Sequence, residues 1–141
     1  MRLRPSLAFV LILPHLFTCT TIYSLISLCS QITMTDFEFN DRIDKLMVAI
    51  EDAIEECEVD IDCENAGGIL TLTFDNRSQI ILSRQSALKQ LWVAARSGGF
   101  YLNFEAVQQH WACDGNGEEL AVLLNRCMSD QAGEEIEFDL G

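Results

Sequence analysis

Positive charge is scarce in this sequence. Nine Lys and Arg stand against 22 Asp and Glu among 141 residues, for a net charge of −13. A field of that sign disfavours nucleic acid and anionic membranes; it favours metal cations and basic protein surfaces. Histidine is limited to His15 and His110. No CxxC pair occurs among Cys19, Cys29, Cys57, Cys63, Cys113 and Cys127, and no histidine cluster stands beside them. That argues against a zinc or cluster-binding site of recognisable spacing. Cys63 and Cys127 fall at apolar positions of their elements, where buried, reduced thiols are expected. There is no glycine-rich phosphate loop, no basic patch and no nucleophile–base pair at motif spacing. Asp114-Gly-Asn-Gly117 lacks the later ligand positions of a calcium loop and reads as a turn before a helix. His110 has no partner at ligand spacing and reads as a strand-edge residue.

What the sequence has instead is acid, concentrated in one place. Glu51, Asp52, Glu55, Glu56, Glu58, Asp60, Asp62 and Glu64 put eight carboxylates into fourteen residues, with no Lys or Arg among them. From Asp36 to Glu64 there are twelve acids against Arg42 and Lys45. Asp52, Glu55 and Glu56, with Glu51, follow the three- and four-residue spacing of one helix face. Asp60, Asp62 and Glu64 alternate with Val59, Ile61 and Cys63, the period of a strand with one face in the core. One acidic surface is therefore expected to cross from a helix onto the next strand.

Residues 1–33 differ from the rest. Arg2 and Arg4 precede the apolar run Leu7–Leu13, then Pro14 and a Thr/Ser-rich apolar stretch without acid. The segment reads as a leader before a true start at Met34, or else as a signal-like segment; a membrane span from Leu7 to Leu28 is the third reading, weakened by Pro14 and His15. An exported acidic binding module follows if the signal reading holds. The start at Met34 is favoured by local chemistry, because Thr35-Asp-Phe-Glu38 is a capping box immediately after it.

Residues 34–141 read as one domain. A helix runs to about Cys57 with Phe39, Ile43, Leu46, Met47, Ile50, Ile54 and Cys57 as its apolar stripe. A strand near Asp60–Glu64 follows, then a turn at Asn65-Ala-Gly67-Gly68. Strands are expected at Ile69–Phe74, Gln79–Ser83, Leu88–Ala95, Phe100–Phe104 and His110–Cys113, with Gly98-Gly99 as a break. Glu118–Ser129 reads as a second helix, and Glu134–Phe138 as a last short strand. Consecutive strands joined by short turns give an antiparallel sheet. The fold class is α+β, a helix–sheet–helix two-layer sandwich with one sheet face left in water. Trp92 is expected on that open face.

With these elements placed, the sequence resembles the frataxins, of the bacterial type. The resemblance rests on Asp60-Ile-Asp-Cys-Glu64, Gly67-Gly-Ile-Leu-Thr-Leu-Thr-Phe74, Gln90-Leu-Trp-Val-Ala94, Ser97-Gly-Gly-Phe-Tyr101, Trp111-Ala-Cys-Asp114 and Gln131-Ala-Gly-Glu134. It runs from Met34 to about Phe138. It implies weak iron binding on the acidic ridge, a part in iron–sulfur cluster assembly, docking on cysteine desulfurase and the iron–sulfur scaffold complex, and a cytoplasmic location. It further implies a monomer, or an oligomer driven by iron. The linker from helix to first strand is short, so no defined ligand set is carried over.

Carboxylates are hard oxygen donors suited to Fe²⁺ and Fe³⁺. Asp41, Asp44, Glu51, Asp52, Glu55, Glu56, Glu58, Asp60 and Asp62 are the candidate metal contacts. They line a convex edge rather than a cage, which predicts weak, salt-sensitive binding. Trp92 is the candidate partner anchor, with Gln90 and Asn65 adding polar contacts on the sheet face and Glu51 and Glu55 adding charge. The expectation is an iron-binding regulator, donor or sensor rather than an enzyme. The alternative is a ferroxidase or iron-storing protein, which would need a pre-organised metal site.

Overall fold

The computed structural model describes residues 34–140. The leader readings and the candidate span at Leu7–Leu28 fall outside them. No helix among the described residues is long and apolar enough to cross a membrane.

Thr35 starts helix α1 (Asp36–Glu56) as the sequence predicts. Its hydroxyl accepts from the Glu38 amide at 3.2 Å, and the Glu38 carboxylate accepts from the Thr35 amide at 2.9 Å. Bonds from the Thr35 backbone and side chain hold the Glu38 carboxyl below its ordinary range. Phe39, Ile43, Met47, Ile50 and Ile54 bury one side of the helix. Leu46 and Cys57, at the margin of the stripe, are only partly buried.

Six strands follow: β1 (Ile61–Ala66), β2 (Ile69–Phe74), β3 (Gln79–Gln85), β4 (Gln90–Ala95), β5 (Gly98–Glu105) and β6 (His110–Cys113). They form one sheet in chain order, each antiparallel to the next. Helix α2 (Leu120–Ala132) completes the domain. Leu70, Leu72, Ile80, Leu82, Leu91, Val93 and Leu102 are fully buried on the helix side, together with Leu123, Leu124 and Met128 of α2. Each such side chain contributes about 1.5–3 kcal/mol by leaving water. The alternate residues Thr71, Thr73, Ile81, Ser83 and Trp92 are all at least partly exposed, so the second sheet face is open. This is the expected α+β two-layer sandwich.

The elements differ from expectation at their ends. Asn65 and Ala66 belong to β1; only Gly67 and Gly68 make the turn, at φ 63° and 79°. Two consecutive left-handed residues are what a two-residue hairpin needs, and glycine supplies them without strain. Strand β4 begins at Gln90, not Leu88. Leu88 is 64% exposed in a turn where its amide and that of Lys89 donate to Gln85 and Ser86. Gly98-Gly99 does not interrupt the sheet; the pair opens β5, opposite Ala95 and Ala94.

Helix α2 starts at Leu120, two residues later than its acids suggest. Glu118 is drawn off by a two-pronged bond from Arg126, at 2.8 and 3.1 Å. Glu134–Phe138 is not a strand. Its backbone is satisfied by side chains of α2: the Phe138 amide donates to Asn125 Oδ1 at 2.7 Å, Asn125 Nδ2 donates to the Phe138 carbonyl at 2.9 Å, and the Ile136 amide donates to Ser129 Oγ at 2.9 Å. The alternation in that stretch reported burial correctly, since Ile136 and Phe138 are both buried.

Candidate functional site: an acidic ridge beside an open sheet face

The C-terminal half of α1 and strand β1 bring the acids together. Asn65 Nδ2 donates to Glu51 Oε1 at 2.6 Å, tying strand to helix. Cys63, on the same strand, feels the charges of both Glu51 and Glu55. Partial desolvation first, then these two carboxylates, push its thiol up. Cys63 is exposed, against the expectation of a buried thiol, because β1 is the sheet edge and only Ile61 of that strand reaches the core. Cys127 is buried as expected, and Cys57, Cys63, Cys113 and Cys127 are all free thiols. Asp62 and Glu64, opposite Thr73 and Thr71, carry acid onto the open face.

The nine candidate metal contacts divide by partner. Asp41 is paired with Lys45 at 2.7 Å, and Asp44 with Arg84, which Asn40 also holds at 2.9 Å. Glu51 holds Asn65. Among the described residues no cation pairs with Asp52, Glu55, Glu56, Glu58, Asp60 or Asp62. The uncompensated charge therefore collects at the α1–β1 corner, while the N-terminal half of the ridge is neutralised. No three His, Cys, Asp or Glu side chains converge as metal ligands among the described residues. The donors are hard oxygens spread along an edge, an arrangement that fits peripheral cation contacts rather than a closed coordination shell.

Sequence reasoning missed an extension of this surface. Glu134, Glu135 and Glu137 of the C-terminal tail face Glu56 and Glu58 across a groove of about 590 Å³. The signal was the run Glu134-Glu-Ile-Glu-Phe-Asp139, whose two apolar residues dock the tail and leave its acids outside.

On the open face, Trp92 is partly buried. It stands opposite Tyr101, which is 49% exposed, and Ser83. A Cβ on Gly99 would lie 3.2 Å from the indole Nε1, so the ring rests over bare glycine backbone. Gly99, read as half of a strand breaker, thus seats the aromatic ring. Gln90 shares this face and donates to Asn103 Oδ1 at 3.0 Å, and Asn103 donates to Asp114 at 3.0 Å. Asn65 does not share it. It is opposite Leu70, a helix-side residue, and its amide serves the ridge instead.

The chain, a helix–sheet–helix sandwich with an acidic first helix and edge strand, matches the frataxin-like domain over residues 32–134. It belongs to the frataxin family, in its bacterial CyaY type. It is 47% identical over 107 residues to the iron-sulfur cluster assembly protein CyaY of Stutzerimonas stutzeri, covering 76% of this chain and 97% of that one. The protein of the same name from Pseudomonas aeruginosa is 49% identical over 105 residues, 74% of this chain and 97% of its own. Frataxin from Psychromonas ingrahamii superposes with a TM-score of 0.69 at 33% identity, over 75% of this chain and 99% of that one. Trimeric yeast frataxin shares the fold, with a TM-score of 0.55 at 22% identity, over 74% and 91% of the two chains.

Proposed function

We propose that this protein is an iron-binding regulator of iron–sulfur cluster assembly that docks on cysteine desulfurase and the scaffold complex. The observation that carries the reading is the uncompensated acid of the α1–β1 corner, set beside an uncovered sheet face with Trp92 at its centre. The names of the bacterial relatives, all iron–sulfur cluster assembly proteins, support the process. Charge at the corner steers a basic partner surface into place, and Trp92 supplies the apolar contact that holds it. Fe²⁺ and Fe³⁺ are cargo here, held weakly by Asp52, Glu55, Glu56, Glu58, Asp60 and Asp62, with Glu51, Asp41 and Asp44 contributing once their protein partners are displaced. Bound iron cancels part of the same charge that attracts the partner, so metal and partner compete or cooperate through one surface.

An iron-oxidising role would require three or more donors converging on a fixed point, and the spread of the acids does not favour it. The functional body is residues 34–141, acting in the cytoplasm as a monomer until metal screens its repulsion.

The test is a calorimetric Fe²⁺ titration, under argon, of the wild type and of a variant with Glu51, Asp52, Glu55 and Glu56 changed to their amides. The variant should lose most of the heat of binding. Unchanged affinity would remove the ridge from the account. In parallel, Trp92→Ala should weaken desulfurase binding by about tenfold or more, the loss of one buried aromatic anchor.

A further inference from the structure

A second site lies at the other edge of the sheet. Between α1, the β5–β6 hairpin and the start of α2 there is a cleft of about 320 Å³. That is at the small end of the range for small-molecule pockets, which are mostly apolar with a few convergent polar groups. Its walls are the side chains of Leu46, Phe104, Trp111 and Leu120. Trp111 meets Phe104 edge-on at 5.4 Å and Phe39 at 6.1 Å, so the aromatic wall is fixed.

Arg42 also lines this cleft, and it is poorly satisfied. Its guanidinium carbon sits 4.1 Å above the Phe104 ring. Its Nε is buried without a hydrogen-bond partner, and its Nη1 reaches only Gln109 Oε1, at 3.5 Å. Glu38 feels the Arg42 charge, but its carboxylate is engaged by Thr35 in the capping box. Among the described residues no carboxylate is bonded to this guanidinium. Leaving such a donor buried and unmet is costly, and a carboxylate set beside the guanidinium would offset part of that cost through its charge.

The neighbouring backbone adds to the same field. Leu120 and Ala121, the first residues of the 13-residue helix α2, line the cleft. The Glu119 side chain makes no capping bond to them, so the positive end of the helix is left open. At the rim are Lys45, bonded to Asp41, and His110. Among the described residues Glu119 is the one carboxylate in the lining.

We propose that this cleft binds a small amphipathic anion, a carboxylate on a short apolar body. The carboxylate meets Arg42 and the first turn of α2; the apolar body lies against Leu46, Phe104 and Trp111. The site lies away from the α1–β1 corner, because β6 and β1 are opposite edges of the sheet, and it stands whether or not that corner holds iron.

The chain has two tryptophans. In the full-length Trp92→Phe protein, excited at a wavelength long enough to pass over the tyrosines, Trp111 is therefore the sole tryptophan reporter, and it forms a wall of the cleft. Hexanoate should change its emission saturably, at a concentration about tenfold below any effect of 1-hexanol, the uncharged control. Arg42→Leu should abolish that preference, and Glu119→Gln should tighten hexanoate binding several-fold by removing the opposing charge. Ala49→Phe, which fills the cleft from α1, should remove binding while circular dichroism stays native. Equal binding of hexanoate and hexanol would overturn the proposal, as would a preference that survives Arg42→Leu or hexanoate binding undiminished in Ala49→Phe. Absence of a saturable response to hexanoate in the parent protein would overturn it as well.

Discussion

Gln131 shows what one residue does for this fold. It is 1% exposed, the only buried polar side chain among the described residues. Its Oε1 accepts from the Arg96 amide at 2.9 Å, and its Nε2 donates to Ser78 Oγ at 3.0 Å and the Gln79 carbonyl at 3.2 Å. Its carbonyl accepts from Asn76 at 2.6 Å. The end of α2 is thereby fixed to two separate hairpin turns. Gln131→Leu keeps the volume but strands the Arg96 amide and the Gln79 carbonyl. It should cost about 2–3 kcal/mol in urea unfolding, the penalty for buried unpaired groups. The sequence marked this residue as part of a family motif without revealing why, because a lone glutamine after a helical stripe looks like surface. Trp92 was more legible: strand alternation placed it on the open face, and only its rest over Gly99 was hidden. Cys63 misled because alternation gives the side of a strand and not whether anything covers that side.

At the scale of elements, the α1–β1 corner has its own chemical reporter. Glu51 and Glu55 help push the Cys63 thiol up, so the exposed sulfur should alkylate slowly at neutral pH. Changing both glutamates to glutamine lowers that barrier to ionisation and should speed maleimide labelling of Cys63 several-fold. An unchanged rate would mean that helix and strand acids do not share one surface. Helix α2 carries a different linkage. The bond from Arg126, the largest cause, holds the Glu118 carboxyl below its ordinary value. A depressed carboxyl stabilises the fold above its unfolded pKa, and that contribution is lost as pH falls through the folded one. Glu118→Gln should therefore cost about 0.5–1 kcal/mol near neutrality, the scale of a partly exposed ion pair, and converge with wild type in acid. Periodicity found both helices and all six strands. It misjudged ends where side-chain bonds compete with backbone ladders: Glu118 left the helix for Arg126, and the tail spent its amides on Asn125 and Ser129.

The whole molecule is governed by an imbalance of charge that its own cations relieve unevenly. Lys45, Arg84 and Lys89 are paired with Asp41, Asp44 and Asp36 along the first half of α1, while among the described residues no cation pairs with the acids from Asp52 to Asp62. Part of that asymmetry is legible in the sequence, since Lys45 stands one turn after Asp41 and no Lys or Arg lies between Glu51 and Glu64; the rest depends on Arg84 and Lys89, which the fold brings across to the helix. Charge of one sign at one corner acts over distances set by ionic strength, with a screening length of about 8 Å at physiological salt. Partner capture should follow the same dependence. The decisive measurement is the affinity of the full-length protein for purified cysteine desulfurase between low and high salt, for wild type and for the variant with Glu51, Asp52, Glu55 and Glu56 neutralised. The account predicts tight binding at low salt that weakens steeply as salt rises, and a variant that binds weakly with a much flatter slope. Wild-type binding that ignores salt, or a variant that matches it at every salt concentration, would contradict docking through the acidic ridge.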